Sequence, residues 1–372
     1  MMNNWSRSIP FESENNQKEI WTCKDSKGEK NYDVEVTLGK QIDILSLKLN
    51  MIEDFNLSVA SIRDSRLSLF KKDNLQQVNL CPICKAETKD MQEVFTVYGA
   101  KYVMCKNCNH YYIKERPTKE ALDKFYSEDS TYQSTYADKR TTETRIQQVA
   151  IPKAKWVIQQ FERIYGRKPK SILDVGAGSG HFVHACKSLG IKTDGVEISE
   201  VGRSFCKKTF GFELINKDFI EEWQTLKDYE IITFWGVIEH VSEPMKMLRA
   251  ASMALLGSDG LIIAAVPRWN CLSTGIQNAF PNSIVRHLDP LGHINCFTDS
   301  SLATAFKENN FDIVAAWYFG MDAYELVTQI SYLLKENKVI QKIGKYIPLF
   351  QDKLDLAKLS DEMVFVGRPT KN

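Results

Sequence analysis

Ten residues, Ser171-Ile-Leu-Asp-Val-Gly-Ala-Gly-Ser-Gly180, constrain the fold more than any others in the 372-residue chain. An apolar run that breaks into glycines at every second position reads as a buried strand turning sharply into a helix that begins near His181. Glycine is needed there because the backbone must bend tightly and approach a ligand where a Cβ would intrude. From Pro169 onward strand and helix patterns alternate, with candidate strands at 171–175, 193–198, 212–215, 230–235, 261–267, 311–319 and 362–368. That alternation predicts a doubly wound, Rossmann-like α/β sheet. Two connections exceed what such a sheet needs and are expected to shape a substrate pocket: 268–298, rich in Asn, Pro and His, and the amphipathic 321–360.

The loop reads Asp-Val-Gly-x-Gly-x-Gly rather than the Gly-x-Gly-x-x-Gly that brings a helix N-terminus to a pyrophosphate. Asp174, just before the first glycine, would repel a diphosphate but suits a ligand carrying an ammonium group and a sulfonium. Glu197, at the end of the second candidate strand, is placed to accept hydrogen bonds from ribose hydroxyls.

On these residues the sequence resembles the class I S-adenosylmethionine-dependent methyltransferases, from about 150 to 320 and again at 362–368. The resemblance implies a seven-stranded sheet whose last strand is antiparallel. It implies that Asp174, Gly176, Ala177, Gly178 and Gly180 lie against the methionine and ribose parts of the cofactor, and that Glu197 holds the ribose with Ile198 beside it. Asp218 would meet the adenine amino group with Phe219 nearby. The stretch Phe234-Trp-Gly-Val-Ile-Glu-His240 would line the methyl-transfer end, Trp235 and Val237 on the cofactor side and Glu239 and His240 towards the acceptor.

Cys81-Pro-Ile-Cys84 and Cys105-Lys-Asn-Cys108 are twenty residues apart, and a hairpin pattern around Gly99 joins them. Two such pairs supply four thiolates, enough for a closed, structural tetrahedral zinc. Lys85 and Asn109 stand where zinc knuckles often use glycine to reach left-handed angles, and His110 is a spare ligand. A four-cysteine, zinc-ribbon-like unit ahead of the glycine loop resembles bacterial sugar and surface-polysaccharide methyltransferases. The acceptor expected on that resemblance is a small molecule or glycan, such as a nucleotide-linked sugar. His293, in a segment resembling the family's His-(Ile/Leu)-x-x-Phe-(Ser/Thr) stretch, joins His240 and Glu239 as a candidate for acid–base work. A zinc-containing RNA methyltransferase and a cofactor-binding scaffold without turnover are the alternatives.

The expected organisation is a β-rich extension at 1–78, the cysteine unit at 79–117, a helical connector at 118–165 and the methyltransferase domain at 166–372. In the extension, Val34, Val36 and Leu38, and again Leu45, Leu47 and Leu49, alternate with polar residues like short strands, although Ile42, Leu45, Leu49 and Ile52 equally fit a helical face; residues 1 to about 17 look frayed. Lysines and arginines exceed acids by one over the whole chain and by two over 79–120, a poor footprint for nucleic acid. No apolar run is long enough to span a bilayer and the N-terminus shows no signal-peptide core, so a cytoplasmic location is expected. The oligomeric state is not legible.

Overall fold

A computed structural model describes residues 3–7, 16–40, 42–48, 55–87, 89, 91–128, 141–255, 259–283, 286–336 and 338–370. In chain order the strands begin with β1 (Asn4–Arg7), β2 (Asn16–Asp25), β3 (Gly28–Leu38) and β4 (Leu75–Gln77). The cysteine unit contributes β5 (Met91–Val97), β6 (Ala100–Cys105), β7 (Tyr111–Ile113) and β8 (Glu115–Pro117). The remainder are β9 (Ser171–Val175), β10 (Lys192–Val196), β11 (Ile231–Trp235), β12 (Leu261–Pro267), β13 (Asn295–Cys296), β14 (Phe311–Phe319) and β15 (Glu362–Pro369).

Nine strands form one sheet in the order β1-β2-β3-β14-β15-β12-β11-β9-β10. β9 to β12 are parallel, and β15 runs antiparallel to both of its neighbours, β12 and β14. β9 and β12 are buried along their whole length. Successive residues face opposite layers: Ile172 and Ile263 pack under the helix Ile151–Tyr165, whereas Leu173 and Ile262 pack with the helices Pro244–Ala254 and Asp299–Glu308. Burial on both faces explains why these strands read as unbroken apolar runs.

The strand expected at 212–215 is reduced to a single parallel bridge between Val196 and Ile215. Leu214 packs instead with Val183 and Cys206, flanked by Phe212, beside the sheet edge.

The expectation of a separate β-rich unit over 1–78 is corrected. β2 and β3 form an antiparallel hairpin, β1 adds to its outer side, and β3 joins β14 in parallel with Ala315–Tyr318 opposite Glu35–Leu38. The N-terminal strands therefore extend the main sheet. Residues 4–7 are paired rather than frayed, because Asn4–Arg7 match Trp21–Lys24. Trp5 also donates its indole N–H to Thr304 Oγ1 at 3.2 Å. Ile44–Leu47 is a helical turn, not a strand, started by Asp43, whose carboxylate accepts from Ser46 N; Leu49 lies outside the described residues. The helical connector appears as Lys119–Glu128 and, after residues outside the description, a continuous helical run from Thr142 to Tyr165.

A second sheet, β13-β7-β6-β5, holds the cysteines. Its fourth strand comes from the 268–298 connection, so the cysteine unit and the main domain share one sheet.

Candidate active site

The loop after β9 is a tight left-handed path. Gly176, Gly178 and Gly180 have φ of +73°, +54° and +77°. A Cβ on Gly176 would lie 2.6 Å from Val237 Cγ2, and one on Gly180 would lie 2.5 Å from Cys206 Sγ. Gly178 faces open space, leaving a bare backbone surface at the turn. The carboxylate of Glu197 is fixed against this surface, accepting from Gly178 N and from Ser199 N, each at 2.7 Å. Next to it Ile198 is 73% exposed, an apolar platform beside a carboxylate. This pair suits the ribose and base of an adenosyl group. The strand order places β10 and β11 on opposite sides of β9, so the crevice lies where such sheets bind ligands.

Asp174 is buried one residue before the end of β9 and accepts from Thr233 Oγ1 at 2.7 Å. Burial pushes its carboxyl up to about 7. Asp218 caps the turn Phe219–Glu222, accepting from Ile220 N at 2.8 Å. Phe219 is buried against Phe234 in the core, so it does not line the open surface. Ala177 donates its N–H to Val196 O. Trp235 ends β11 with its indole N–H buried and without a hydrogen-bond partner among the described residues.

After Gly236 the chain presents Glu239 and His240. Glu239 is buried, its Oε1 lies 3.6 Å from His240 Nε2, and its Oε2 has no partner among the described residues. Burial raises this carboxyl above its ordinary value. His240 stays partly open, and its ring lies 5.2 Å from that of His293. His293 Nδ1 bonds the carbonyl of His287, which leaves Nε2 facing the cluster, and burial lowers its pKa to about 4. His293 is therefore a neutral imidazole near pH 7. His287 is locked between Thr274 Oγ1 and Cys271 Sγ and does not join the group.

Two groups escaped sequence reasoning. Lys153, from the helix Ile151–Tyr165, lies 4.3 Å from the Trp235 ring centroid and pairs with Glu362 at 3.4 Å. Neither belongs to the motif loops, and only the packing of that helix against the first residue of β15 brings them to the cleft.

The four cysteine sulfurs lie within 4.8 Å of one another, Cys81–Cys108 at 3.7 Å and Cys84–Cys105 at 3.5 Å. Zinc–sulfur bonds of about 2.3 Å in a tetrahedron put sulfurs roughly 3.8 Å apart, so the donor set fits zinc. Lys85 and Asn109 take φ of 58° and 56°, the left-handed positions expected after each pair. His110 is not a spare ligand: it is fully buried, contacts Ser301 Oγ and Asn295 Oδ1, and stacks on Tyr112.

The cysteine sheet also braces the loops that carry Glu239 and His293. Tyr102 donates its hydroxyl to His293 O at 3.1 Å, and Asn295 donates N to Glu239 O at 3.0 Å. Arg116 reaches Asn295 Oδ1 at 3.1 Å, and Trp269 stacks on Tyr111 at 3.8 Å.

Residues 148–316 match the family model described as a methyltransferase domain. Over that stretch, a little under half of its length, the chain is similar to methyltransferase domains. No curated protein matches it in sequence. Among solved structures, the plantazolicin methyltransferase BamL, in complex with a triazolic desmethylPZN analog and SAH, is 16% identical. That alignment covers 66% of this chain and 93% of BamL, with a TM-score of 0.45. Magnesium protoporphyrin IX methyltransferase from Synechocystis PCC 6803, with bound SAH, is 9% identical over 68% of this chain and 100% of its own, TM-score 0.44. A methyltransferase from Archaeoglobus fulgidus is 18% identical over 58% and 94%, TM-score 0.36. Outside the matched stretch, the N-terminal strands extend the main sheet beyond β14, and the cysteine sheet pairs with β13 from the connection after β12.

Proposed function

We propose that the methyltransferase domain methylates a small-molecule or glycan acceptor, such as a nucleotide-linked sugar or polysaccharide precursor, at an atom that must lose a proton. The observation that carries this reading is the cluster of Glu239 and His240 after β11 with His293 from the connection after β12, at the same end of the sheet as the glycine loop. When bound, S-adenosylmethionine supplies an electrophilic methyl group whose leaving sulfur needs no protonation. What the protein must add is alignment, exclusion of water and removal of the acceptor's proton. Glu197, Ile198 and the bare turn at Gly178 hold the adenosyl part. His240 takes the proton at Nδ1, and Glu239, beside Nε2, stabilises the imidazolium that results. His293, kept neutral, lines the acceptor side without competing for that charge. The cysteine unit holds zinc as a structural ion, since four thiolates leave no open position for substrate. A reducing, cytoplasmic setting suits nine cysteines that form no disulfide.

The test is turnover of purified protein with S-adenosylmethionine and a panel of nucleotide sugars, reading S-adenosylhomocysteine and acceptor mass. His240→Ala should lower the rate by roughly 10²–10⁴-fold, the usual share of general-base catalysis, with cofactor affinity unchanged. Gly178→Val should remove cofactor binding. Full activity of His240→Ala would discard the proton-transfer assignment.

A further inference from the structure

Two helices between β14 and β15 bury polar side chains and expose a row of apolar ones. In the helix Asp322–Leu334, polar Asp322, Glu325, Thr328 and Gln329 are buried together with Ala323, Tyr324 and Val327. The stripe facing out is Leu326, Ile330, Leu333 and Leu334, spaced as one side of a helix. In the helix Ile347–Leu356, Gln351 and Asp355 are buried beside Ile347, while Leu349 and Phe350 are exposed. Exposure of these six apolar side chains runs from 38% to 65%.

The orientation is fixed from within. Asp322 accepts from Ser273 N and Oγ at 2.9 and 2.7 Å, Gln329 donates to Ser283 Oγ at 2.7 Å, and Gln351 donates to Asp355 at 2.7 Å. Arg286 pairs with both Glu325 and Asp361. Rotating either helix to hide its leucines would strip partners from these buried groups, so the apolar face is held outward.

Charge identifies what fits it. Between 335 and 353 five lysines (335, 338, 342, 345 and 353) stand against two acids, Glu336 and Asp352, on a chain whose total is only +1. All five lysines are exposed, and they are interleaved with exposed Ile343 and Tyr346. A second copy of this face would bring like charges together. An anionic lipid surface instead takes leucine and phenylalanine among its acyl chains and lysine at its headgroups. No described helix is long and apolar enough to cross a membrane, so the segment would lie on the surface. It leaves the C-terminal end of β14, the end of the sheet that carries the glycine loop and His240.

We propose that residues 322–356 dock the protein on anionic bilayer surfaces. The proposal is independent of which acceptor is methylated. Flotation of the full chain with vesicles of phosphatidylcholine alone, or of phosphatidylcholine and phosphatidylglycerol in equal parts, tests it. Binding is expected to the anionic vesicles, to fall with added salt, and to fall in Lys342→Glu/Lys345→Glu. Leu349→Ser/Phe350→Ser should reduce partitioning roughly 10- to 100-fold, since two large apolar side chains no longer enter the lipid. Both side chains are mostly exposed, so its melting temperature should match the parent protein and show that it is folded. Failure of the parent protein to float with anionic vesicles would overturn the proposal, as would unchanged partitioning of the serine variant. So would a dimer in sedimentation that the serine variant dissolves, with no vesicle binding by either.

Discussion

Asp174 shows how one buried side chain couples the cleft to pH. Its carboxyl is raised from 3.8 to about 7 mainly by burial, so the folded protein holds a proton there that the unfolded chain releases near pH 4. Stability from this group is complete below about pH 4 and is lost as pH rises towards 7, by up to about 4 kcal/mol. Asp174→Asn keeps the shape and stays neutral. In the absence of cofactor it should melt close to the parent protein near pH 4 and above it beyond pH 7, as read by calorimetry across that range. Buried His181 and His293, both lowered to about 4, tilt the curve the other way, but they do so equally in both proteins and cancel in the difference. A constant difference across pH would show Asp174 to be ionised throughout. The residues of this cleft that were legible beforehand are those whose chemistry is local: glycines at forced left-handed angles, and acids at strand ends. Lys153 and Glu362 were invisible because only tertiary packing makes them neighbours.

Among the elements, the cysteine sheet carries more than its own stability. Its spacing announced a metal site and a hairpin, and the left-handed Lys85 and Asn109 follow from the knuckle geometry. Its last strand could not be read, since β13 is two residues long and sits in a stretch that looks like a loop. Through that strand Asn295 supports Glu239, and from β6 Tyr102 supports His293. If the cluster holds the proposed zinc, a chelator, like Cys105→Ser, should therefore lower turnover roughly 10- to 100-fold, the scale associated with losing groups that orient a site. Affinity for S-adenosylmethionine, set by β9, β10 and their loops, should stay within about twofold. Isothermal titration beside single-turnover kinetics separates the two, and parallel losses would place the metal unit in the cofactor site. The same contrast of local and distant cause explains Ile44–Leu47. Its alternating leucines resembled a strand, but Asp43 at the helix start and Ile44 and Leu47 packing inward settle it as a turn of helix.

For the whole molecule, the sheet is the unit, and the three N-terminal strands belong to it. Tyr32, Val34, Val36 and Leu38 alternate with more exposed residues, the pattern of a half-buried strand. Nothing in that pattern says which strand it pairs with, because backbone hydrogen bonds carry no sequence information. Trp21 packs on Phe365, and buried Glu19 pairs with Lys358, so the hairpin covers one layer of the main core. Deleting residues 1–40 should therefore do more than remove an appendage. It would bare β14 as a new edge together with the core beneath it, and the shortened chain is expected to aggregate on light scattering and melt at lower temperature. A truncated protein with the parent melting temperature would mean that the hairpin is dispensable to the core.

The parallel seam between β3 and β14 also sets an order of events. Glu35 must wait for Ala315, 280 residues later, before its outer backbone groups find partners. While a nascent chain lengthens, the hairpin is left with an open edge for most of synthesis, and only the closing segments can cover it. Such a chain keeps one flank of its early hairpin bare until β14 is made, which favours late completion of the sheet.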